Sequence, residues 1–319
     1  MDDLLQSLLA KKSVLAIMGP TATGKTELAL ALAEVLPIEI ISMDSALIYR
    51  DMNIGTAKPS AQELAKVPHH LIDILDPAEN YSAADFIHDT KRLVNDIHGR
   101  GRLPVLVGGT MMYMNALQKG LASLPSADET IRARLTEQYR QNPQALHQAL
   151  QVVDPAAADR IHPNDPQRLI RALEVYELTG KPLSRWQAEQ AMSEWDVNLI
   201  KVALLPEDRA KLHQQIEKRL NQMFEQGFLQ EVEALFRRGD LQPDLPSIRC
   251  VGYRQVWSYL TGELDWEAAK AKALSATRQL AKRQITWLRK ETDLCVLDPF
   301  SLDLQTKLDS LCDFLHKKS

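Results

Sequence analysis

The chain has 319 residues, of which 45% are hydrophobic and 25% are charged, and its formal net charge is −4. This length predicts about two domains, and the composition is that of a soluble globular protein. A negative net charge argues against a protein that coats nucleic acid over its whole surface, but it leaves room for a local basic face.

Three features indicate where the protein works. No apolar run approaches the ~20 residues that a bilayer span needs, and the acidic first four residues lack the shape of a signal peptide. The cysteines Cys250, Cys295 and Cys312 are odd in number and lie far from any C-x-x-C spacing. Thiols in this arrangement are typical of a reducing compartment. We therefore predict a cytoplasmic protein with no membrane partner.

The most informative stretch is a glycine-rich loop at residues 19–26. It fits the phosphate-binding pattern G-x-x-x-x-G-K-S/T, whereas the alternative is an ordinary tight turn. Apolar residues predict a buried strand before it, at residues 13–18, and a helix after it, at residues 25–36. A helix start that follows such a loop presents N–H groups to phosphate. The predicted phosphate-binding residues are Gly19, Pro20, Thr21, Ala22, Thr23, Gly24, Lys25 and Thr26, with Lys25 on phosphate oxygens and Thr26 on a Mg²⁺ ion.

A second strand is predicted at residues 37–42, and it delivers Asp44 at its carboxyl end. In an open parallel sheet, ligands sit beyond the carboxyl ends of the strands. Asp44 is therefore predicted near the phosphate loop, although it could also be a turn or helix-cap residue. Residues 46–59 show no clear period, which indicates a functional loop.

Further strands are predicted at residues 71–75 and 103–107. Adjacent histidines precede the first of them, and because neighbouring side chains point to different sides, a shared metal is not expected. A capping-box pattern at residues 82–85 predicts a helix that runs to about residue 100.

The strand at residues 103–107 ends in Gly-Gly-Thr, residues 108–110, before an apolar helix at residues 111–118. This turn could offer amides and a hydroxyl to a ligand, or its glycines could serve packing alone. The methionines in this helix are more typical of a buried core than of a wall that contacts substrate. A nucleotide-hydrolysing enzyme with a phosphate loop usually ends such a strand with an aspartate for Mg²⁺. The absence of this aspartate indicates that the loop binds a diphosphate and that the reaction does not hydrolyse a terminal phosphate.

From about residue 123 to residue 196 no strand is predicted, which indicates an all-helical insertion domain in a core made of residues 1–122 and 197–319. Arg168 and Arg171 share one helix face and could bind a phosphate backbone, or they could form ion pairs with Glu174 and Asp165. The predicted helices of this domain lie at residues 128–141, 143–152, 165–179 and 183–192.

The sheet resumes with a strand at residues 198–205 and closes with one at residues 294–297. The helix predicted at residues 266–290 ends in five cations with no acid. Such a surface beside a tryptophan favours a nucleic-acid contact over a solvated face. The other helices are predicted at residues 206–227, at residues 228–238 and from residue 302.

These segments together resemble the bacterial tRNA dimethylallyltransferases, which place an isopentenyl group on N6 of an adenosine beside the anticodon. The resemblance rests on the phosphate loop and on DSAL from residue 44, IGTAKP from 54, VGGT from 107, DPQRLIRALE from 165, RCVGYR from 249 and KRQITWLR from 282. It covers residues 14–290. It implies an α/β fold with a parallel sheet core like that of phosphate-loop NTPases.

The resemblance also implies a reaction. Dimethylallyl diphosphate would donate its prenyl group to N6 of adenosine 37 in tRNAs that read codons starting with U. Asp44 would act as the general base, and Arg219 and Mg²⁺ would stabilise the leaving diphosphate. Thr110 would join Asp44 and Arg219 as a catalytic residue. We expect a monomer that grips the anticodon stem-loop.

The resemblance finally implies a set of residues that bind tRNA. It predicts Thr110 and Arg132 near the target base, and the remainder around the anticodon stem-loop. The full set is Asp44, Ser45, Ala46, Leu47, Thr110, Arg132, Gln167, Arg168, Arg171, Arg249, Cys250, Val251, Gly252, Tyr253, Arg254, Lys282, Arg283, Gln284, Trp287 and Arg289.

Three other functions compete with this one. A small-molecule kinase would need an arginine-rich lid and would gain nothing from the basic helix. An isopentenyltransferase acting on free adenylate would not need the helical insertion. A non-catalytic RNA-binding module is disfavoured because Asp44, Lys25 and Thr26 are all present.

Overall fold

The computed structural model describes residues 2–121, 124–189 and 195–319. The chain divides into two compact units. The first comprises Met1–Met114 and Asp196–Ser319, and the second is Asn115–Trp195. The second unit thus begins eight residues before the predicted boundary at residue 123. No described helix is long and apolar enough to cross a membrane.

A six-stranded parallel sheet forms the centre of the first unit, with the order β3-β2-β4-β1-β5-β6. Strands β1, β2 and β4 are buried along their whole length and mostly apolar, as expected for parallel strands that are covered on both faces. This confirms the predicted α/β fold class. The strands are β1 (Ser13–Met18), β2 (Ile38–Met43), β3 (His69–His70), β4 (Leu103–Gly108), β5 (Asn198–Leu204) and β6 (Leu294–Leu297).

The strand predicted at residues 71–75 is wrong. Leu71 and Asp73 have φ angles of 60° and 55°, in the left-handed region, which no strand adopts. Pairing with β2 therefore involves only the histidines that precede this run. His70 Nε2 lies 2.7 Å from the buried Glu39 carboxylate, which also forms an ion pair with Arg100.

Most helices of the first unit lie close to their predicted positions, and three short helices were not predicted. These three are α1 (Asp2–Ala10), α3 (Ala61–Lys66) and α13 (Tyr253–Leu260). The others are α2 (Lys25–Ala33), α4 (Ala83–Gly99), α5 (Met111–Lys119), which runs into the second unit, α11 (Arg209–Glu225), α12 (Phe228–Arg237), α14 (Trp266–Leu288) and α15 (Leu304–Lys318).

Two large apolar clusters lie among the described residues of this unit. The larger one lies between the sheet and α1, α2 and α15, and it includes Leu15, Ile17 and Leu311. The second joins the loop after β2 to α12 and α13, with Tyr49, Phe228 and other large side chains at its centre. The second cluster positions the loops that follow the carboxyl ends of the strands.

The described residues of the second unit form helices and no strand. Four of the five helices that begin within it start at a polar N-cap whose side chain accepts an early helical N–H, as helix starts require. The predicted end of the last helix, at Met192, lies outside the described residues. The helices are α6 (Glu129–Gln141), α7 (Pro143–Val153), α8 (Pro155–Ala158), α9 (Pro166–Thr179) and α10 (Leu183–Ala188).

Candidate active site

Three loops meet at the carboxyl edge of the sheet. Met18, at the end of β1, and Met43, at the end of β2, both pair with Gly108 of β4. The segments that follow these strands are the phosphate loop, the loop that carries Asp44, and the turn that carries Thr110. The parallel topology therefore brings the three sequence signals to one place.

The Gly-Gly-Thr turn packs too closely for any larger residue. A Cβ atom on Gly108 would lie 2.0 Å from the Met43 carbonyl oxygen, so this position accepts only glycine. The Thr110 hydroxyl accepts a hydrogen bond from the Ser45 amide at 3.2 Å. The turn thus fixes the segment that begins at Asp44.

The phosphate loop is held in shape by its own backbone and by a distant glutamine. The Pro20 carbonyl accepts hydrogen bonds from the Lys25 ammonium at 2.8 Å and from the Thr23 hydroxyl at 2.9 Å. Gln284 of α14 accepts from the Thr21 amide and donates to the Gly109 carbonyl, each at 3.0 Å. Gln284 therefore links this loop to the Gly-Gly-Thr turn.

Two desolvated cations stand beside the Asp44 carboxylate. Burial lowers the pKa of Lys25 to about 8; the nearby Arg219 cation lowers it too, and Asp44 opposes both effects. Burial also lowers the pKa of Arg219, whose Nη1 lies 3.4 Å from the Thr21 hydroxyl oxygen. Cations removed from water bind a polyanion strongly, because little water competes for them. This arrangement suits a diphosphate.

A cavity of about 430 Å³ opens next to these groups, and its volume suits a small-molecule ligand. It brings together most of the predicted catalytic and tRNA-binding residues of the first unit. The predicted residues on its wall are Thr21, Ala22, Asp44, Ser45, Ala46, Thr110, Arg219, Arg249, Cys250, Val251, Gly252, Tyr253, Arg283, Gln284 and Trp287.

Other residues of this unit do not line the cavity. Among the predicted tRNA-binding residues they are Leu47, Arg254, Lys282 and Arg289, and in the phosphate loop they are Gly19, Pro20, Thr23, Gly24, Lys25 and Thr26. These roles stay predictions.

The apolar part of the wall includes two of the methionines for which the sequence had left core and substrate wall as alternatives. Met111 and Met112 line the cavity, and Met111, Tyr113 and Met114 are buried, so the methionine cluster contributes to both wall and core. Helical spacing on α11 could have indicated the stripe formed by Ile216, Leu220 and Met223. The remaining unpredicted wall residues are Gly55, Thr56, Gly109, Phe228, Pro246, Thr277 and Leu280.

At the basic end of α14, one of the cations has an acidic partner in the structure. Arg278 forms an ion pair at 2.8 Å with Glu217 of α11, an acid that the local sequence does not show. In the part of the chain that the structure describes, Lys282, Arg283 and Arg289 form no ion pair within 4 Å. Trp287 is 42% exposed beside them. This surface keeps the properties of a nucleic-acid contact.

In the second unit, the arginines predicted to bind tRNA have acidic neighbours. Glu174 is fully buried, and it pairs with Arg132 at 2.9 Å and with Arg171 at 2.5 Å. Arg168 lies 3.4 Å from Asp165, and Gln167 is exposed. The ion-pair alternative therefore describes these contacts, and tRNA binding by the four residues stays a prediction.

The residues around the phosphate loop fit a Mg²⁺ ion that is shared with a ligand. Within the described residues, no group of three or more His, Cys, Asp or Glu side chains could hold a metal. Mg²⁺ commonly uses one or two protein ligands together with phosphate oxygens and water, so such a group is not needed. The Thr26 hydroxyl has no hydrogen-bond partner within the described residues, which leaves it available as a ligand.

Similarity to known proteins extends over nearly the whole chain. A family model described as IPP transferase matches residues 47–291. A tRNA dimethylallyltransferase from Hydrogenovibrio crunogenus is 60% identical over 309 residues, which cover 97% of this chain and 95% of the relative.

Two crystal structures share the fold. A full-length tRNA isopentenylpyrophosphate transferase from Bacillus halodurans has a TM-score of 0.70 at 39% identity, covering 97% of this chain and 98% of that one. A eukaryotic dimethylallyltransferase acting on tRNA has a TM-score of 0.80 at 28% identity, covering 96% and 80%. With such identity over nearly its full length, the chain belongs to the IPP transferase family, which contains the tRNA dimethylallyltransferases.

Proposed function

We propose that this chain transfers the dimethylallyl group of dimethylallyl diphosphate to N6 of adenosine 37 in tRNAs that read codons starting with U. The products are N6-(dimethylallyl)adenosine and diphosphate. The observation that carries this proposal is the presence of Asp44 and Arg219 in one cavity beside the phosphate loop. A general base thus stands next to a site for a diphosphate leaving group.

In this reaction, a bond forms between adenine N6 and C1 of the prenyl group while the C1–O bond breaks. The electron pair of that bond leaves with the diphosphate, and the N6 proton passes to the Asp44 carboxylate. The N6 lone pair is delocalised into the ring, so removal of the proton during attack lowers the barrier. The Ala46 amide donates to Asp44 Oδ1 at 2.9 Å and orients the carboxylate.

The leaving diphosphate gains charge in the transition state. Loop amides, the Lys25 ammonium and the Arg219 guanidinium are in place before the reaction and stabilise that charge. Mg²⁺ held by Thr26 and the diphosphate would add a Lewis acid that neutralises the same oxygens. Apolar wall residues such as Met112 and Leu220 would accept the prenyl chain.

The acceptor base has to leave the anticodon-loop stack to reach Asp44. Two observations support tRNA as the acceptor. Cations lie at the end of α14, and the names of the relatives describe enzymes that act on tRNA. We assign the grip on the anticodon stem to the second unit, and we propose that the protein is a cytoplasmic monomer.

One experiment tests the function. The protein is incubated with labelled dimethylallyl diphosphate and total tRNA that lacks the modification, and the labelled nucleoside is then located. We expect label on N6 of adenosine 37 alone. Consumption of ATP without transfer of label would favour the kinase, and label on free adenylate would favour the adenylate enzyme.

Replacement of Lys282, Arg283 and Arg289 by alanine should weaken tRNA binding and flatten its salt dependence. Each lost phosphate contact should reduce the slope of log affinity against log salt by about 0.7–0.9. The measurement is a binding titration at several salt concentrations. Alanine at the exposed Lys11, Lys66 and Lys317 changes the net charge equally and serves as control. Equal slopes in all three proteins would remove the basic helix from the interface.

The affinity for the diphosphate should fall as pH rises above about 8. A bound diphosphate favours the Lys25 ammonium and raises its pKa, which burial has lowered to about 8 in the free protein. Binding is therefore tightest below this pKa and takes up a proton above it. The expected loss approaches tenfold per pH unit, roughly one proton per site. Titration with an unreactive dimethylallyl thiodiphosphate should show this slope, and Lys25→Arg, which stays charged, should not.

A further inference from the structure

Glu231 of α12 is a half-buried carboxylate that accepts four hydrogen bonds, two of them from Gly55 and Tyr253 on the cavity wall. Its Oε2 accepts from the amides of Asn53 at 2.8 Å and Ile54 at 2.7 Å. Its Oε1 accepts from the Gly55 amide at 3.0 Å and from the Tyr253 hydroxyl at 2.5 Å. A carboxylate offers about four acceptor sites, so this one is fully used.

The segment that Glu231 holds, residues 53–56, also packs closely against aromatic side chains. A Cβ atom on Gly55 would lie 2.1 Å from the Phe228 ring and 2.6 Å from the Tyr253 ring, so the backbone rests directly on both aromatics. The Thr56 hydroxyl donates to the Met52 carbonyl at 2.7 Å. The three amides bound by Glu231 therefore fix where residues 53–56 stand.

The same contacts bear on the cavity. Gly55, Thr56 and Tyr253 line it together with Asp44. Burial, with a further contribution from the Glu231 charge, raises the pKa of Tyr253, so its hydroxyl remains a donor to Glu231. The carboxylate thus joins two wall segments that are far apart in the sequence, and neither belongs to the phosphate loop.

We propose that Glu231 is a positioning residue for the transfer reaction: its carboxylate fixes residues 53–56 and Tyr253 as the wall against which the acceptor adenosine is placed. This inference rests on the proposed function. It assigns Glu231 to the acceptor side of the cavity, and it leaves diphosphate binding to the phosphate loop, Lys25 and Arg219.

Glu231→Gln tests the proposal because glutamine keeps the size and loses one acceptor. In either orientation of the new amide, its NH₂ group faces at least one of the three backbone N–H groups that the carboxylate now accepts, so a donor meets a donor. We expect the KM for tRNA to rise about tenfold to a hundredfold, the effect of losing hydrogen bonds to a charged group. The Kd of the unreactive thiodiphosphate should change by less than about twofold, since the phosphate loop keeps its contacts.

Hydrogen exchange gives a readout independent of activity. The amides of residues 53–55 should exchange at least about tenfold faster in Glu231→Gln, since each loses a charged acceptor. Glu233→Gln is the matched control, because Glu233 lies on the same helix and pairs only with Arg237 among the described residues. Tyr253→Phe keeps the carboxylate and loses one bond. It should raise the tRNA KM less, and it decides the matter if Glu231→Gln does not fold.

The outcomes separate this inference from the proposed function. A native protein that transfers the label, together with a Glu231→Gln variant whose tRNA KM is unchanged, would overturn the inference alone. Equal losses of tRNA and diphosphate binding would also overturn it, because they would indicate a general structural role. A native protein that transfers nothing to tRNA would overturn both.

Discussion

Asp44→Asn should slow transfer of the dimethylallyl group by about 10²–10⁴ in a single turnover, the usual contribution of a positioned general base. Asparagine keeps the size of the side chain, and its oxygen can still accept the Ala46 amide that now binds Asp44 Oδ1. It cannot take the proton from N6. Rapid-quench measurements with both substrates saturating isolate this step from binding and product release.

The control is Asp51→Asn, the same chemical change a few residues away. Asp51 is exposed, lies outside the cavity wall and has a φ of 64°, a conformation that asparagine tolerates. We expect native rates from this variant and nearly native binding of tRNA and diphosphate from both. A near-native single-turnover rate in Asp44→Asn would show that Asp44 is not the base. Lost binding with intact chemistry would make it a positioning residue.

The fold and the reactive edge of the site were predictable because their signals are local. A strand, a glycine loop and a helix follow one another at residues 13–33, and a parallel sheet places all strand ends on one edge. Asp44 could therefore be placed beside the phosphate loop from the sequence alone. In the structure Asp44 lines the cavity together with Thr21 and Ala22 of that loop, and Thr110 joins them there.

The remaining parts depend on contacts between distant residues, which periodicity does not pair. Gln284 reaches the Gly109 carbonyl across 175 positions, and Glu231 binds amides 176 to 178 positions away. A run of cations on α14 looked unpaired because the partner of Arg278 is on another helix.

The clearest wrong prediction is the strand at residues 71–75, and its cause is backbone conformation. The apolar run at residues 71–75 has strand composition, but two of its residues adopt positive φ and end the strand. The apolar composition of a segment reflects the free energy gained by burying its side chains, but it does not determine the backbone φ angles. Short helices such as α3 were missed for a related reason, because six residues hold too little of a 3.6-residue period to be recognised.

Lys25→Ala should lower the rate of transfer by about 10²–10³, the usual effect of removing one preorganised group that stabilises developing charge. The tRNA affinity should change less than about twofold, because among the described residues Lys25 donates no hydrogen bond to a segment predicted to bind tRNA. The fold should survive the change. Burial disfavours this ammonium, and its one hydrogen bond to the described residues is to the Pro20 carbonyl of its own loop.

Three measurements decide the role of Lys25: the single-turnover rate, the Kd for the unreactive thiodiphosphate and the Kd for tRNA. Lys66→Ala removes an exposed ammonium from the end of α3 and should leave all three at native values. If the tRNA affinity of Lys25→Ala collapses together with the rate, Lys25 acts on more than the diphosphate. If the rate stays native, the loop amides and Arg219 suffice to carry the leaving charge, and the ammonium is not part of the catalytic group.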